Sequence, residues 1–396
     1  MIGRTWPSEI REFKDEKTGR AVRQLTTTGN NVHLYFTENS FDSRKNEIIF
    51  VSDRASGEDK APHETSQYNL FRMDLDTGVI TQLSDEPVGA HHVTKTPGSE
   101  IIVYVSGHQI KSLNPETGKA TVLYTESGAF SMGAPSIACN RRYVAFARNE
   151  RVDAPRGPNY TGFKESFYRI KDGRITLAYL DGSGAFDVFK DTHWLGHFQF
   201  CPDDGTLATF CHEGPWNLVT QRIWILDFVS REARPCYRQE EYDTIGHEFW
   251  TQSSAGIPSL IFFDDRGPGH DGTITSSRTQ AVATTTAVNE NAMIPFVAFA
   301  DRNGALIRRV DMPFYCNHYH ANPDNTLLVG DDVDDLVLID ISTETAQLST
   351  LCHHKTSWHT QSSHCHPTWS WDGSRILYAS DYGGKVNLYL VDGGRF

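Results

Sequence analysis

The chain is expected to be all-β, a seven-bladed β-propeller. Three observations predict this: a strand-turn unit that recurs along the chain, a terminal stretch that supplies a strand missing from the other end, and a composition suited to short strands. Apolar residues make up 38% of the 396 positions and aromatics 11%, with 31 Gly and 17 Pro. That balance suits many short strands joined by tight turns and disfavours long helices.

The recurring unit is an aromatic-rich stretch, a turn of Asp, Asn and Gly, an apolar strand, then an alternating strand ending in an acidic-Thr-Gly turn. One copy runs from His366-Pro-Thr-Trp through Arg375-Ile-Leu-Tyr to Val386-Asn-Leu-Tyr; another runs from Asn39-Ser-Phe-Asp through Glu47-Ile-Ile-Phe to Ile80-Thr-Gln-Leu. Similar units start near His92, Met132, His197, His247 and His318, which makes seven four-stranded blades. The last unit stops after its third strand at Asp392, and the segment of about 17–27, Lys17-Thr-Gly-Arg-Ala-Val-Arg-Gln-Leu-Thr, is expected to complete that C-terminal blade and close the ring. A β-sandwich or solenoid would need no strand displaced in this way. The whole chain, 1–396, is thus expected to form one propeller domain, with an inserted loop at about 265–291 in the fifth blade that either is disordered or rims the site.

A formal net charge of −13 argues against nucleic acid as a partner, since binders of phosphate backbones gather Lys and Arg on one face. An acidic substrate would need local positive charge from a metal or a placed Arg. No run of about 18 apolar residues is present, so no membrane span is expected. The N-terminus lacks the apolar stretch of a secretory signal, and seven scattered cysteines without a CxxC pair suit a reducing compartment, so a cytoplasmic protein is expected.

Seventeen histidines are present, and His197, His318 and His366 each precede a turn aspartate (Asp203, Asp324, Asp372) by six residues. Equal offsets in a ring imply equal depths on the innermost strands, so these side chains can converge on the axis. The densest cluster is Gln361-Ser-Ser-His364-Cys365-His366. If extended, it turns His364 and His366 to one face and Cys365 to the other. Imidazoles with an amide oxygen and no thiolate suit Mn²⁺, Ni²⁺, Co²⁺ or Zn²⁺ rather than an iron–sulfur cluster or a caged Ca²⁺. The further ligand from another blade is expected from Cys316-Asn-His318-Tyr-His320, with His318 favoured by its offset. A lone inner-strand His is more often a packing residue; an HxH preceded by Gln, with a third His in register, tips the balance toward metal. Arg222, followed by Ile-Trp-Ile-Leu, would be costly to bury without an anion, although single strand arginines usually pair at a surface.

Several motifs together resemble the oligogalacturonate lyases, a propeller family that cleaves pectin fragments. They are Trp194-Leu-Gly-His197, Phe210-Cys-His-Glu-Gly-Pro215, Gln221-Arg222 followed by Ile-Trp, His247-Glu-Phe-Trp250, Cys316-Asn-His318, Leu328-Val-Gly-Asp331, Lys355-Thr-Ser-Trp358 and Gln361-x-x-His364-x-His366-Pro. The resemblance implies a Mn²⁺-type ion held by His318, Gln361, His364 and His366, with His247 as general base and Arg222 near the substrate carboxylate. It places His197, His212 and Glu213 along the cleft, with an acidic oligosaccharide such as di- or trigalacturonate as substrate. The chain departs from the family pattern at the 265–291 insertion, at His320, and in a shorter connection between Trp358 and Gln361. The implied reaction is β-elimination: C5 of a uronate loses its proton, the charge that builds on the carboxylate must be stabilised, and O4 leaves without water entering. A propeller that only binds, and a lyase acting on another uronate, are the competing expectations. A serine peptidase is excluded by the absence of a GxSxG motif.

Overall fold

The computed structural model describes residues 1–157, 159–252, 256–275 and 294–394. Seven antiparallel sheets follow one another along the chain as the blades of a propeller. Blade 1 opens with inner strand Asn31–His33, blade 2 with His91–Lys95, blade 3 with Phe130–Ile137 and blade 4 with Leu195–Cys201. Blades 5, 6 and 7 open with Ile245–Trp250, Tyr319–Ala321 and Thr368–Trp369.

The apolar side chains of these strands collect into seven clusters, one at each seam between neighbouring blades. Phe249 and Phe262 of blade 5 meet Tyr319 and Leu328 of blade 6, and Phe50 and Phe71 of blade 1 meet Leu377 and Leu388 of blade 7. Because the second strand of a blade is covered on both faces, sequences such as Ile261-Phe-Phe and Glu47-Ile-Ile-Phe read as nearly continuous apolar runs rather than alternating ones. The seam between blades 7 and 1 is filled like the other six, so the ring is closed.

The closing strand is shorter than expected. Ala21–Gln24 pairs with the third strand of blade 7 in the register Val22↔Val391, Arg23↔Leu390, Gln24↔Tyr389. Residues 17–20 belong instead to a turn in which Asp15 Oδ1 accepts from the backbone N–H of Lys17 and Thr18. Two further edge pairings were not anticipated: Arg11–Lys14 extends blade 7 by a fifth strand, and Thr5–Trp6 pairs along the outer strand of blade 1.

Two irregularities shape the axis. Inner strands of blades 2 to 5 slip register at a bulge, at His91/Thr94, Met132/Pro135, Gly196/Gln199 and Gly246/Phe249. His92, His197, His247 and, ahead of the blade 7 strand, His366 all adopt φ between 43° and 49°. A bulge re-aims side chains, so a non-glycine residue held in this region is a device for pointing a ring where a regular strand would not. Gly246, just before His247, admits no side chain, because a Cβ there would lie 1.9 Å from the Trp216 ring. The second irregularity is a detour in blade 1: its inner strand breaks after His33, and pairing resumes at Phe41↔Ile48. Phe36, in the detour, is fully buried.

Of the insertion expected at about 265–291, Asp265 ends a strand of blade 5, residues 266–275 follow it, and 276–291 lie outside the described residues. The described part folds back onto the seam of blades 5 and 6, where Thr275 Oγ1 meets the Tyr315 hydroxyl at 2.6 Å. No helix among the described residues is long and apolar enough to cross a membrane.

Candidate active site and metal centre

His318, His364 and His366 come together from blades 6 and 7, with one ligating atom of each within 4.8 Å of the others. Their ring centroids are 4.3 Å (His318 to His366), 5.4 Å (His318 to His364) and 5.5 Å (His364 to His366) apart. All three are buried. Both ring nitrogens of His364 and Nε2 of His366 are buried without a hydrogen-bond partner among the described residues. Orphaned nitrogens cost free energy unless something fills them, and a divalent cation does so. His318 Nδ1 lies 2.9 Å from Asp331 Oδ2, the carboxylate–imidazole pairing that orients a metal-ligating histidine. Burial above all, then the neighbouring rings, holds His366 and His318 well below the usual histidine range, and burial takes His364 down to about 3. The rings are therefore neutral, with lone pairs available to an ion.

The alternation expected of residues 364 to 366 holds for Cys365, which is buried in the seam of blades 6 and 7. His366 reaches the common point by a different route, its left-handed φ of 43°. Gln361, expected as a further ligand, begins a short 3₁₀ turn and is exposed; its amide makes no hydrogen bond among the described residues, while its carbonyl accepts from the His364 N–H at 3.3 Å. His320 takes no part: its Nδ1 accepts from the Trp369 N–H at 3.2 Å, and its ring stacks on Phe249.

His247 stands beside this group, its ring centroid 5.0 Å from that of His318 and 4.8 Å from that of Trp216. Burial first, then the Arg266 and Arg222 guanidiniums, push its pKa well down. Its Nδ1 lies between an acceptor, Asp264 Oδ1 at 3.2 Å, and a donor, Arg266 Nη2 at 3.3 Å. Asp264 Oδ1 has no hydrogen bond as the ring now stands. Arg266 Nη2 has other acceptors, the carbonyls of Asn317 (2.9 Å) and Cys316 (3.3 Å), so the tautomer with Nδ1–H toward Asp264 is available.

Arg222 is buried and doubly paired: Nε donates to Glu248 Oε2 (2.9 Å), Nη2 to Glu248 Oε1 (3.3 Å) and Nη1 to Glu213 Oε1 (3.3 Å). Burial alone would raise Glu248, but Arg222, then His197, hold it at about 2. His197 bridges the same carboxylates, with Nε2 3.5 Å from Glu213 and Nδ1 3.4 Å from Glu248. His197, Glu213, Arg222 and His247 thus share one pocket with the imidazole trio. His212 does not join them. It faces the seam of blades 3 and 4, where Nε2 meets Asp191 Oδ2 at 3.2 Å, because strand alternation sends Glu213 inward and His212 outward.

Three residues that sequence inspection passed over complete the pocket. Arg266 directly follows the buried strand Ile261–Asp265; its signal is the pair Asp264-Asp265 that ends this strand ahead of an arginine. Phe36 packs its ring against His247, His318 and His366 at 5.6 to 5.9 Å. Beyond it, residues 37–39 line a cavity of about 280 Å³ with Gln199, Trp250 and His320 at the other end of the inner strands. Tyr35 lies 4.8 Å from His366 and 5.8 Å from His197. Above the site, a loop of blade 3 reaches across: Asn159 donates to the Trp358 carbonyl and the Tyr160 hydroxyl to that of Gly272.

The sequence profile of a family described as oligogalacturonate lyase matches residues 2–276. An oligogalacturonate lyase of Dickeya dadantii is 24% identical over 96% of this chain and 95% of its own. An oligogalacturonide lyase of Pectobacterium atrosepticum is 26% identical over 98% and 97%. Among solved structures, an oligogalacturonate lyase in complex with manganese superposes with a TM-score of 0.80 at 22% identity, covering 99% of this chain and 98% of that one. An oligogalacturonate lyase of Vibrio parahaemolyticus gives the same TM-score and coverage at 20% identity.

Proposed function

Because the chain belongs to the oligogalacturonate lyase family, we propose that its axial histidine pocket cleaves short galacturonides by metal-dependent β-elimination, with His247 as the base. The observation that carries this assignment is the placing of His247 beside three buried imidazoles, of which His364 at both ring nitrogens and His366 at Nε2 lack partners among the described residues. Family membership favours this over a propeller that only binds.

His318, His364 and His366 would hold the ion, Mn²⁺ by preference, with Gln361 turning in as a fourth donor. Bound there, a divalent cation supplies Lewis-acid stabilisation of the charge that builds on a uronate carboxylate. Two of the five N–H groups of Arg222 are left over from Glu248 and Glu213, and these meet the same carboxylate. His197 and Glu213 border the sugar. His247, neutral through burial, accepts the C5 proton at Nε2 while Nδ1–H is held by Asp264. The C5–H electrons become the C4=C5 double bond, the C4–O4 bond breaks, and O4 takes up a proton. Trp216 and Phe36 keep bulk water from the base.

Short substrates, di- and trigalacturonate, suit a pocket crossed by the blade 3 loop and blocked below by Phe36. The seven cysteines are all free thiols, which supports a cytoplasmic setting. The deciding experiment strips the protein with chelator, restores Mn²⁺, and follows the ultraviolet absorbance of the unsaturated uronate. A metal-dependent rise on di- and trigalacturonate, lost in His247→Ala at unchanged metal content, is the expected result. Metal binding with no rise on any galacturonide would move the assignment to another uronate, and a rise that survives His247→Ala would remove His247 as the base.

A further inference from the structure

A second group of ligating side chains lies on the seam between blades 3 and 4, sharing no residue with the axial trio. Asp191 ends the outer strand of blade 3, His193 stands in the link that follows, and His212 ends the second strand of blade 4. His193 Nδ1 is 2.7 Å from Asp191 Oδ1, and His212 Nε2 is 3.2 Å from Oδ2 of the same carboxylate. The two imidazoles are stacked, centroids 4.0 Å apart and planes within 6°. One ligating atom from each of the three residues lies within 4.8 Å of the others.

Each ring turns one nitrogen to the same carboxylate, so the three residues offer their donor atoms to one point. Burial holds His212 below the usual histidine range, and the hydrogen bond from His212, then that from His193, holds the Asp191 carboxylate well below its own. An ion at that point would replace the N–H groups now turned to the carboxylate, each neutral ring carrying its proton on the other nitrogen. Bonds of about 2.1 Å in a tetrahedral site place donor atoms about 3.4 Å apart, and because an ion lies near the plane of each ligating ring, the two stacked rings must splay to share one. What adjustment is needed falls on His193, whose side chain is 52% exposed, while His212, at 10%, is held between Trp224 and Phe210.

We propose that Asp191, His193 and His212 form a second divalent-metal site that ties blade 3 to blade 4. Two imidazoles and one carboxylate match Zn²⁺ and its neighbours Co²⁺ and Ni²⁺ rather than Mg²⁺ or Ca²⁺, and three protein donors leave one position for water. The site is independent of the lyase assignment. It sits where neither Arg222 nor His247 reaches, and its effect is to cross-link neighbouring sheets.

The test loads metal-stripped full-length protein with Zn²⁺, dialyses against metal-free buffer and counts the zinc retained per chain. Wild type is expected to retain one equivalent more than His193→Ala, an exposed position whose change spares the fold. The same difference of one is expected in a His366→Ala background, where the axial site is broken. Equal zinc in wild type and His193→Ala, in either background, overturns the proposal.

Discussion

Replacing Glu248 with Gln should destabilise the protein by about 3 kcal/mol at neutral pH, and two separate routes lead to that figure. Arg222 is buried, and two of the three hydrogen bonds its guanidinium donates end on Glu248. Neutralising one partner of a buried ion pair costs about 3–5 kcal/mol, because the remaining charge is left poorly compensated. Glu213, still 3.3 Å from Nη1, keeps the loss at the lower end. The second route is proton linkage. Glu248 is held at about 2 against an ordinary 4.5, and at about 1.4 kcal/mol for each tenfold change in proton affinity that is about 3–4 kcal/mol. A carboxyl whose folded pKa is depressed stabilises above its unfolded value and loses that contribution as pH falls through the folded one. The gap between wild type and Glu248→Gln should therefore be fully open above pH 4.5 and close as pH approaches 2. Urea unfolding of the metal-free proteins, followed by tryptophan fluorescence at several pH values, measures it. A gap under about 1 kcal/mol at pH 7, or one that does not narrow in acid, would refute the buried-pair account.

Three further outcomes are expected. His247 is already neutral through burial and its two guanidinium neighbours, so kcat/KM of the Mn²⁺-loaded protein should not fall as pH is lowered through 6.5; a titration there would mean a solvent-exposed base. Asp331→Asn should weaken Mn²⁺ binding by about 10–100-fold in a metal-competition assay, since it removes the carboxylate that orients His318. Gln361→Ala, at an exposed turn position, should leave the unfolding midpoint of the metal-free protein unchanged while lowering its Mn²⁺ affinity in the same assay.

The ring was legible in the sequence because each blade repeats its own turn chemistry and a closed ring needs seven equivalent seams. The displaced strand was visible for the same reason, although Asp15 draws residues 17–20 into a turn and leaves only Ala21–Gln24 for the sheet. The common offset of His197, His318 and His366 signalled convergence, but a period-two strand does not produce it for His366; its left-handed φ just ahead of the strand does, and no residue type announces such a backbone turn in advance. His212 shows the opposite case. It sits next to Glu213 in one motif, yet the pleat turns the two apart. Arg266 and Phe36 escaped notice because each reaches the pocket from a chain irregularity, and only long-range packing tells where such a segment goes.

The blade 1 detour that seats Phe36 against the histidines has a kinetic side. An open axial channel would let a chain pass through and the product leave by the far end. With an aromatic ring between the imidazoles and the cavity beyond, traffic runs one way in and the same way out. In the proposed reaction each unsaturated fragment would back out past the blade 3 loop before another galacturonide enters, so among the described residues product and substrate would share one doorway and compete for it.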